Sequence, residues 1–405
     1  MSTIGDGSQF SAADPALGYL YQVRSALLWA LQRLKSSSEF LVSVETLDDV
    51  AFETTGGSAT ELLQTKHHLS STANLTDASA DLWKTLRIWF EGHASKTIPT
   101  TAHLLLVTTG TAPDGSTASY LRSVSRDVNA AQQALNATAS TSTSKTNKSG
   151  YAAYLKASVP ARKAVLDRVT VIDAAPTISD LEGDLTREVF WAAGREQHSA
   201  FLDRLEGWWL RRVLKQLVNA PHDRIGSVEL EAQMSDLREQ FKHESLPIDD
   251  DLLEFTLDDA TRSAHEETAF VRQLEIIKAG KRRIALSIRD YYRAFEQRSR
   301  WLRDDLVVEL ELHKYEKRLV EEWEVIFEAM RDNLGTPAAD EAKEQAARSV
   351  LAWAERAPIA IRSGVTEPFI SRGSFHMLAD EVRIGWHPEF QDRLAALLRD
   401  DGGAS

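Results

Sequence analysis

Cysteine is absent from the 405-residue chain. That excludes a disulfide framework, a thiolate metal site and a cysteine nucleophile, so any metal must be held by oxygen or imidazole. Long apolar runs are also missing. Stretches such as Leu104-Leu105-Leu106-Val107 fall far short of the roughly 20 residues that cross a bilayer. The opening MSTIGDGSQFSAADPALGYLYQ has neither a basic n-region nor an apolar h-region. Together these absences predict a soluble, cytoplasmic protein with no membrane contact. The chain has no GxxxxGK[ST] phosphate loop and no G-x-S-x-G elbow, which argues against an intrinsic ATPase and a serine hydrolase.

What is present is acidic and well mixed. There are 47 Lys plus Arg against 60 Asp plus Glu, a net charge of −13, with 43% hydrophobic and 26% charged residues. Such a composition excludes a wholly disordered or collagen-like chain. Net acidity disfavours indiscriminate nucleic-acid binding, which depends on neutralising phosphates, but leaves room for a local basic groove. Residues 1–150 carry 11 basic and 13 acidic side chains (11 − 13 = −2), so most of the negative charge lies further on. The length predicts two domains, because single cores stop growing at roughly 250 to 300 residues.

Periodicity places a helix over residues 17–34, with Leu20, Val23, Leu27, Leu28 and Leu31 at helical spacing after Asp14 and Pro15. Period-2 stretches follow at 40–44, 50–52 and 62–63, the last two joined by the turn cluster Thr54-Thr55-Gly56-Gly57-Ser58. An amphipathic helix over 77–93 and strands at 103–108 and 169–172 complete an α/β pattern with a small mixed sheet. Residues 128–150 end in a Ser/Thr/Ala/Lys tract with little to bury, and read as a mobile loop or insertion. From residue 181 onward the chain reads as helical, over 201–218, 227–243, 258–279, 281–296, 301–333, 342–356 and 388–399, with small strands or loops at 358–386. The expected domains are 1–220 and 221–405, the second mostly helical and suited to partner binding or regulation. Trp208, Trp209, Trp301, Trp323 and Trp353 at helical spacing read as core. Arg211-Arg212, Lys281-Arg282-Arg283, Arg298 and Arg300 read as solvated faces rather than DNA contacts.

The sharpest pattern is Asp49, a hairpin, and then Glu61-Leu62-Leu63-Gln64-Thr65-Lys66. With Gly56-Gly57 at the turn, Asp49 faces Gln64, and the strand alternation puts Lys66 on the same face as Gln64. A carboxylate, an amide oxygen and an ammonium then converge on a patch roughly 5 to 8 Å across. Phosphodiester cleavage uses such a set. A carboxylate and carbonyl-type oxygens hold Mg²⁺, and a lysine stabilises developing charge. Asp49 is the expected main ligand, Gln64 and the Thr65 carbonyl are weaker ones, and Lys66 is the electrostatic catalyst. Glu45 and Asp48 stand near enough to add an acid. His67-His68 read as surface residues or phosphate contacts. Asp48-Asp49 is also the pair an ordinary turn uses, and the spacing alone does not separate the two readings.

The segments GYLYQVRSALLWAL (18–31), VSVETLDDVAFE (42–53), ELLQTKHH (61–68) and LWKTLRIW (82–89) resemble, in order and spacing, a known nuclease family. That family is the double-stranded DNA endonuclease domain of the PD-(D/E)xK superfamily, carried by bacterial anti-phage effectors that include CBASS effectors. The resemblance implies a restriction-endonuclease-like N-terminal domain and Mg²⁺-dependent DNA cleavage, with Mn²⁺ a second candidate ion. It implies the same roles for Asp49, Gln64 and Lys66. Gly18, Tyr21 and Gln22 match the family's N-terminal helix, with Gln22 where many members carry an acid. Gln64 replaces the second superfamily acid, as is common in this branch. HSAFLDRLEGWWLRRVL (198–214) is similar to a segment of the nuclease effector of Lamassu, or ABC three-component, defence systems. That similarity implies an SMC-like ATPase and a small middle subunit as partners. The expectation is thus a DNA endonuclease effector that becomes active as a homo-oligomer or on release from its partners. The alternative is an inactive nuclease-fold adaptor, and RNA in place of DNA is a third reading.

Overall fold

The computed structural model describes residues 13–36, 39–67, 74–335 and 337–401. They divide into two units, residues 1–192 with 198–236, and residues 193–197 with 237–405. In the first unit α1 (Ala13–Leu34) buries Tyr21, Val23, Ala26, Leu27, Leu28, Ala30 and Leu31, on most of its circumference over its central turns. Next come β1 (Leu41–Val44), β2 (Val50–Glu53), β3 (Ala59–Lys66), α2 (Ala80–Ser95) and β4 (His103–Thr108). Four helices, α3 (Thr117–Tyr120), α4 (Val128–Thr141), α5 (Lys148–Lys156) and α6 (Val159–Leu166), lead to β5 (Val169–Ile172). The unit continues with α7 (Leu181–Glu188), α8 (His198–Val218), β6 (Ile225–Gly226) and the start of α9 (Ser227–Gln240).

The six strands form one sheet in the order β5-β4-β3-β2-β1-β6. Strands β1, β2 and β3 form an antiparallel meander and β6 adds to β1, whereas β4 pairs parallel to β3 and β5 parallel to β4. A parallel pair needs a crossover, which α2 supplies first and α3 to α6 supply second. One sheet face, with Ala51, Leu62, Leu104, Leu106, Val169 and Val171, is buried against Leu82, Trp83, Leu86, Trp89 and Phe90 of α2. Toward α1, the Arg33 guanidinium lies over the Phe52 ring at 4.5 Å, and Trp209 of α8 donates Nε1 to the Val23 carbonyl at 2.9 Å.

The β2–β3 hairpin reaches the expected pairing by a different route. Its loop is the three residues Thr55-Gly56-Gly57, not two: Thr54 N donates to Ser58 O at 2.9 Å and Gly57 N to Thr54 O at 2.8 Å. Gly57 takes φ +80°, the left-handed residue that such a loop requires. That loop pairs Glu53 with Ala59, but a bulge absorbs Thr60, whose hydroxyl donates to Phe52 O at 3.1 Å. Pairing then resumes as Phe52 with Glu61, Ala51 with Leu62 and Val50 with Leu63, which brings Asp49 beside Gln64.

Residues 128–150, expected as a loop, instead fold as α4 and the start of α5. Asp127 caps α4 through the Ala130 N–H at 2.9 Å, and Ala131, Leu135 and Ala139 recur at fourfold spacing on its buried face. The low hydropathy concealed an alanine-and-leucine stripe that is narrow but sufficient. Gly150 makes the packing of α5 on α2 possible, because a Cβ there would sit 2.7 Å from the Trp83 carbonyl oxygen.

The second unit is helical, with α10 (Asp250–Leu253), α11 (Asp259–His265), α12 (Ala269–Ile276), α13 (Lys281–Arg303), α14 (Glu309–Leu334), α15 (Asp340–Ala354), α16 (Pro368–Asp380) and α17 (Phe390–Asp401). Three expectations change. The helix read over 258–279 is two helices. The boundary near 296 moves to 303, where Asp305 adopts φ +54° and Leu306 N turns back to Trp301 O at 2.9 Å. Residues 358–386 contain α16, begun by Pro368 in its first turn; its Gly373 lies so close to α13 that a Cβ would overlap the Asp290 carbonyl. Trp209, Trp301 and Trp323 are core, and Trp301 donates to Pro247 O at 2.7 Å and Trp323 to Gly385 O at 2.9 Å, whereas Trp208 and Trp353, also expected in the core, are only half-buried. In the basic clusters Arg212 pairs with Asp223, Arg283 with Glu355 and Arg300 with Asp251, and Arg298, expected on a solvated face, is buried against Glu316. Among the described residues no helix is long and apolar enough to cross a membrane.

Candidate functional site

The turn between β1 and β2 carries the acids. Val44 lies past the end of β6, so its backbone lacks a strand partner on that side. The buried side chain of Gln216, on α8, takes that place. Its Oε1 accepts from Val44 N at 3.0 Å, and its Nε2 donates to Val44 O at 3.3 Å and to Thr46 Oγ1 at 2.9 Å. The turn itself is tight, with Glu45 at φ +53° and its N–H on Asp49 O at 3.0 Å. The result is that Asp48 points inward and Asp49 points across to β3.

Asp49 is held from three sides. Its Oδ1 accepts from Gln64 Nε2 at 2.9 Å, and its Oδ2 accepts from Thr65 N at 2.7 Å and Thr65 Oγ1 at 3.2 Å. The Lys66 ammonium stands 3.8 Å from Asp49 Oδ2 and donates to Gln64 Oε1 at 2.9 Å. Asp48, only 8% exposed, accepts from Gln64 Nε2, from Asp49 N at 3.1 Å and from Trp89 Nε1 at 3.0 Å. Burial pushes the Asp48 carboxyl up to about 6, against the lowering effect of Trp89 and then Gln64. The fold therefore brings Asp49, Gln64, Thr65 and Lys66 together, with Thr65 engaged through its N–H and hydroxyl.

The accessory residues lie on the α1 side. Gln22 hydrogen-bonds the Glu45 carboxylate, which burial and next the Asp49 charge hold above the ordinary range, with Gln22 and Lys66 pulling the other way. Tyr19 is raised by burial and then by Glu45. His67 packs its ring 4.8 Å from that of Tyr21 and accepts from Ile178 N at 3.4 Å, whereas His68 lies outside the described residues. Two further residues position the site. Trp89 sits on the apolar face of the amphipathic helix expected over 77–93, where nothing local marks it as a donor to Asp48. Gln216 lies three residues after the buried Val213 and seven after the buried Trp209, and a polar residue on a buried helix face needs a partner.

In kind, these groups fit a hard divalent cation, because every available donor is an oxygen. Glu45, Asp48 and Asp49 crowd negative charge around one lysine. The Gln22 Oε1 atom is buried without a hydrogen-bond partner, an acceptor with nothing to accept. Among the described residues no cluster of three His, Cys, Asp or Glu side chains is arranged to hold a metal, so amide and backbone oxygens would have to complete the shell beside Asp49.

Residues 270–394 match the family model described as C-terminal domain 7 of the ABC-three component (ABC-3C) systems. No curated protein matches the chain significantly. Among solved structures, the chain is similar to the Acinetobacter baumannii Cap4 SAVED/CARF-domain containing receptor with the cyclic trinucleotide 2'3'3'-cAAA. Identity is 15% over 73% of this chain, and the TM-score is 0.34. The match spans 59% of that receptor's length. With 3'3'3'-cAAA bound, the receptor matches at 14% identity over 69% of each chain, with a TM-score of 0.35.

Proposed function

We propose that the protein is the nuclease effector of an ABC three-component anti-phage system, and that its first unit hydrolyses phosphodiester bonds of double-stranded DNA with Mg²⁺ or Mn²⁺. The observation that carries this reading is the convergence of Asp49, Gln64 and Lys66 at one end of a mixed sheet. The order helix, three-stranded meander, helix and parallel strand supports it, being the layout the nuclease resemblance implies. The domain match over residues 270–394 supports the defence assignment, and with it an SMC-like ATPase and a small middle subunit as partners.

When bound, the cation would polarise the phosphate and acidify a water. Asp49 would be its main ligand, helped by Gln64 and the Thr65 carbonyl. The protein's own residues do the rest. Thr65 fixes the Asp49 carboxylate through two hydrogen bonds, and Trp89 and Asp48 hold the Gln64 amide in place. Lys66 keeps an ammonium beside Asp49, placed to meet charge developing on a phosphate oxygen. A duplex has two strands and each site cuts one, so paired copies are the simplest active form.

One observation favours a second reading, an inactive adaptor. Gln64 turns its amide nitrogen, not its oxygen, toward both carboxylates, an arrangement that closes the site to a cation. Plasmid cleavage separates the two. Wild type, Asp49→Asn and Lys66→Ala are incubated with Mg²⁺, Mn²⁺ or EDTA at low and high protein concentration, with and without the partner subunits. Metal-dependent cutting reduced by about 10²- to 10³-fold or more in both variants is expected; absence of cutting even with the partners would leave the adaptor.

A further inference from the structure

Between Asp127 and Asp167 the chain has Lys145, Lys148, Lys156, Arg162 and Lys163 and not one Asp or Glu, a segment of 39 residues in a protein of net charge −13. Two of these cations are spent internally. Arg162 bonds the Tyr154, Leu155 and Ala157 carbonyls and Asn136, and Lys163 pairs with Asp167 at 2.8 Å. Lys145, Lys148 and Lys156 are exposed and, among the described residues, stand in no ion pair. Lys148, Ala152 and Lys156 follow one another along one exposed face of α5, with a methyl group between two ammonium groups. Exposed Thr143 and Thr146 flank Lys145.

The topology sets the start of this surface, Lys145 and Lys148, at the end of the sheet that carries Lys66, and α5 then leads to Lys156 alongside α2. Strands β3 and β4 run parallel with Lys66 opposite Thr108, and Thr109 N donates to Lys66 O at 3.2 Å. Beyond Thr108, Leu75 N donates to Thr111 O at 2.9 Å, so the approach to α2 lies at that same end. Within that approach Ala78 O accepts from Asn147 Nδ2 at 2.8 Å, which pins the residues flanked by Lys145 and Lys148. Exposed Lys84 follows Trp83, over whose carbonyl Gly150 packs.

We infer that α5, the connection that leads into it and the exposed start of α2 form a phosphate-backbone surface, on which Lys145, Lys148, Lys156 and Lys84 follow a double-stranded DNA into the Asp49 and Lys66 site. The inference rests on the nuclease reading of that site. Exposed lysines in no ion pair release condensed counterions when they meet phosphates; Lys145, Lys148 and Lys156 have no acid in their own segment, and the hydroxyls flanking Lys145 add sequence-independent contacts. The partner is a polyanion of regular charge, and the segment requires no base readout.

The test uses the full-length protein and a fluorescent duplex of about two helical turns, with binding in EDTA measured across a series of salt concentrations and plasmid cleavage in Mg²⁺. K145Q/K148Q/K156Q is expected to make the slope of log K against log salt shallower by about 2.7, roughly 0.9 per lost contact, and to slow cleavage with unchanged melting temperature. Lys66→Ala should lose cleavage while changing the slope by no more than about one contact. A wild type that cuts, alongside a triple variant of unchanged slope, would overturn this surface and leave the nuclease standing. An unchanged slope with lost binding to an acidic partner protein would overturn it in favour of that protein. A wild type that neither binds nor cuts, even with its partners, would remove both readings.

Discussion

Asp48 offers a measurement whose sign follows from the structure alone. It is 8% exposed and receives three donors, Gln64 Nε2, Asp49 N and Trp89 Nε1, yet burial outweighs them and raises its carboxyl from 3.8 to about 6. The folded protein therefore holds a proton that the unfolded chain has released, and wild-type stability falls as pH rises through that window. The full loss is about 3 kcal/mol, from 2.2 pH units at 1.36 kcal/mol each. About 1.4 kcal/mol of it falls between pH 5 and pH 7.5. Asp48→Asn keeps the shape and removes the titration, but its single oxygen cannot serve Trp89 as well as Gln64 and Asp49 N. One donor is orphaned, at a pH-independent cost of about 1 to 3 kcal/mol. The variant should thus start less stable than wild type at acid pH and draw level toward neutrality. Urea unfolding of both proteins across that range reads the difference. A difference that is flat with pH, or that grows toward neutrality, would refute the reasoning.

Gln216→Ala strips the Val44 N–H and carbonyl of their partner while leaving both buried, and should cost about 2 to 4 kcal/mol with an unchanged denaturant m value; cleavage should fall with it, since the same amide holds the turn that aims Asp49. His376, 3% exposed among Phe270 and Trp386, has its imidazole lowered to about 3 by burial first and then by Arg283 and Arg372. Its contribution is therefore complete above about pH 6.5 and is lost as pH falls, by about 1.4 kcal/mol per unit. Wild type should lose about 1.6 kcal/mol relative to His376→Gln between pH 6.5 and pH 5, read by chemical denaturation.

The parts of this molecule that were legible in its sequence are those fixed by near neighbours along the chain. The strand at Leu41–Val44, the hairpin and the helix at Ala80–Ser95 each declared themselves by a period of 2 or 3.6. Two glycines marked the turn, but the meeting of Asp49 with Gln64 depends on the bulge at Thr60, which offsets the extra loop residue and which no local pattern announced. The helix at Val128–Thr141 was hidden because its buried stripe is mostly alanine, which contributes little to hydropathy but packs closely. Pro368 did announce a helix start, yet the short apolar runs around it read equally well as strands.

The support of the candidate site was illegible for a different reason: it is non-local. Asp48 and Trp89 are 41 residues apart, and Val44 and Gln216 are 172 apart. No local pattern connects either pair, because each contact exists only after the sheet is covered on both faces. Buried polar groups nevertheless carry a weak signal of their own. A glutamine on the apolar stripe of Phe201–Val218 and an Asp-Asp turn followed by a buried strand both demand partners. Their partners turn out to be each other's supports: Gln216 fixes the turn, the turn sends Asp48 under Trp89, and Asp48 holds the Gln64 amide that Lys66 leans on. The chemistry proposed for Asp49 and Lys66 thus depends on two residues that touch neither, and perturbing Gln216 or Trp89 should alter the site without removing any of its reactive groups.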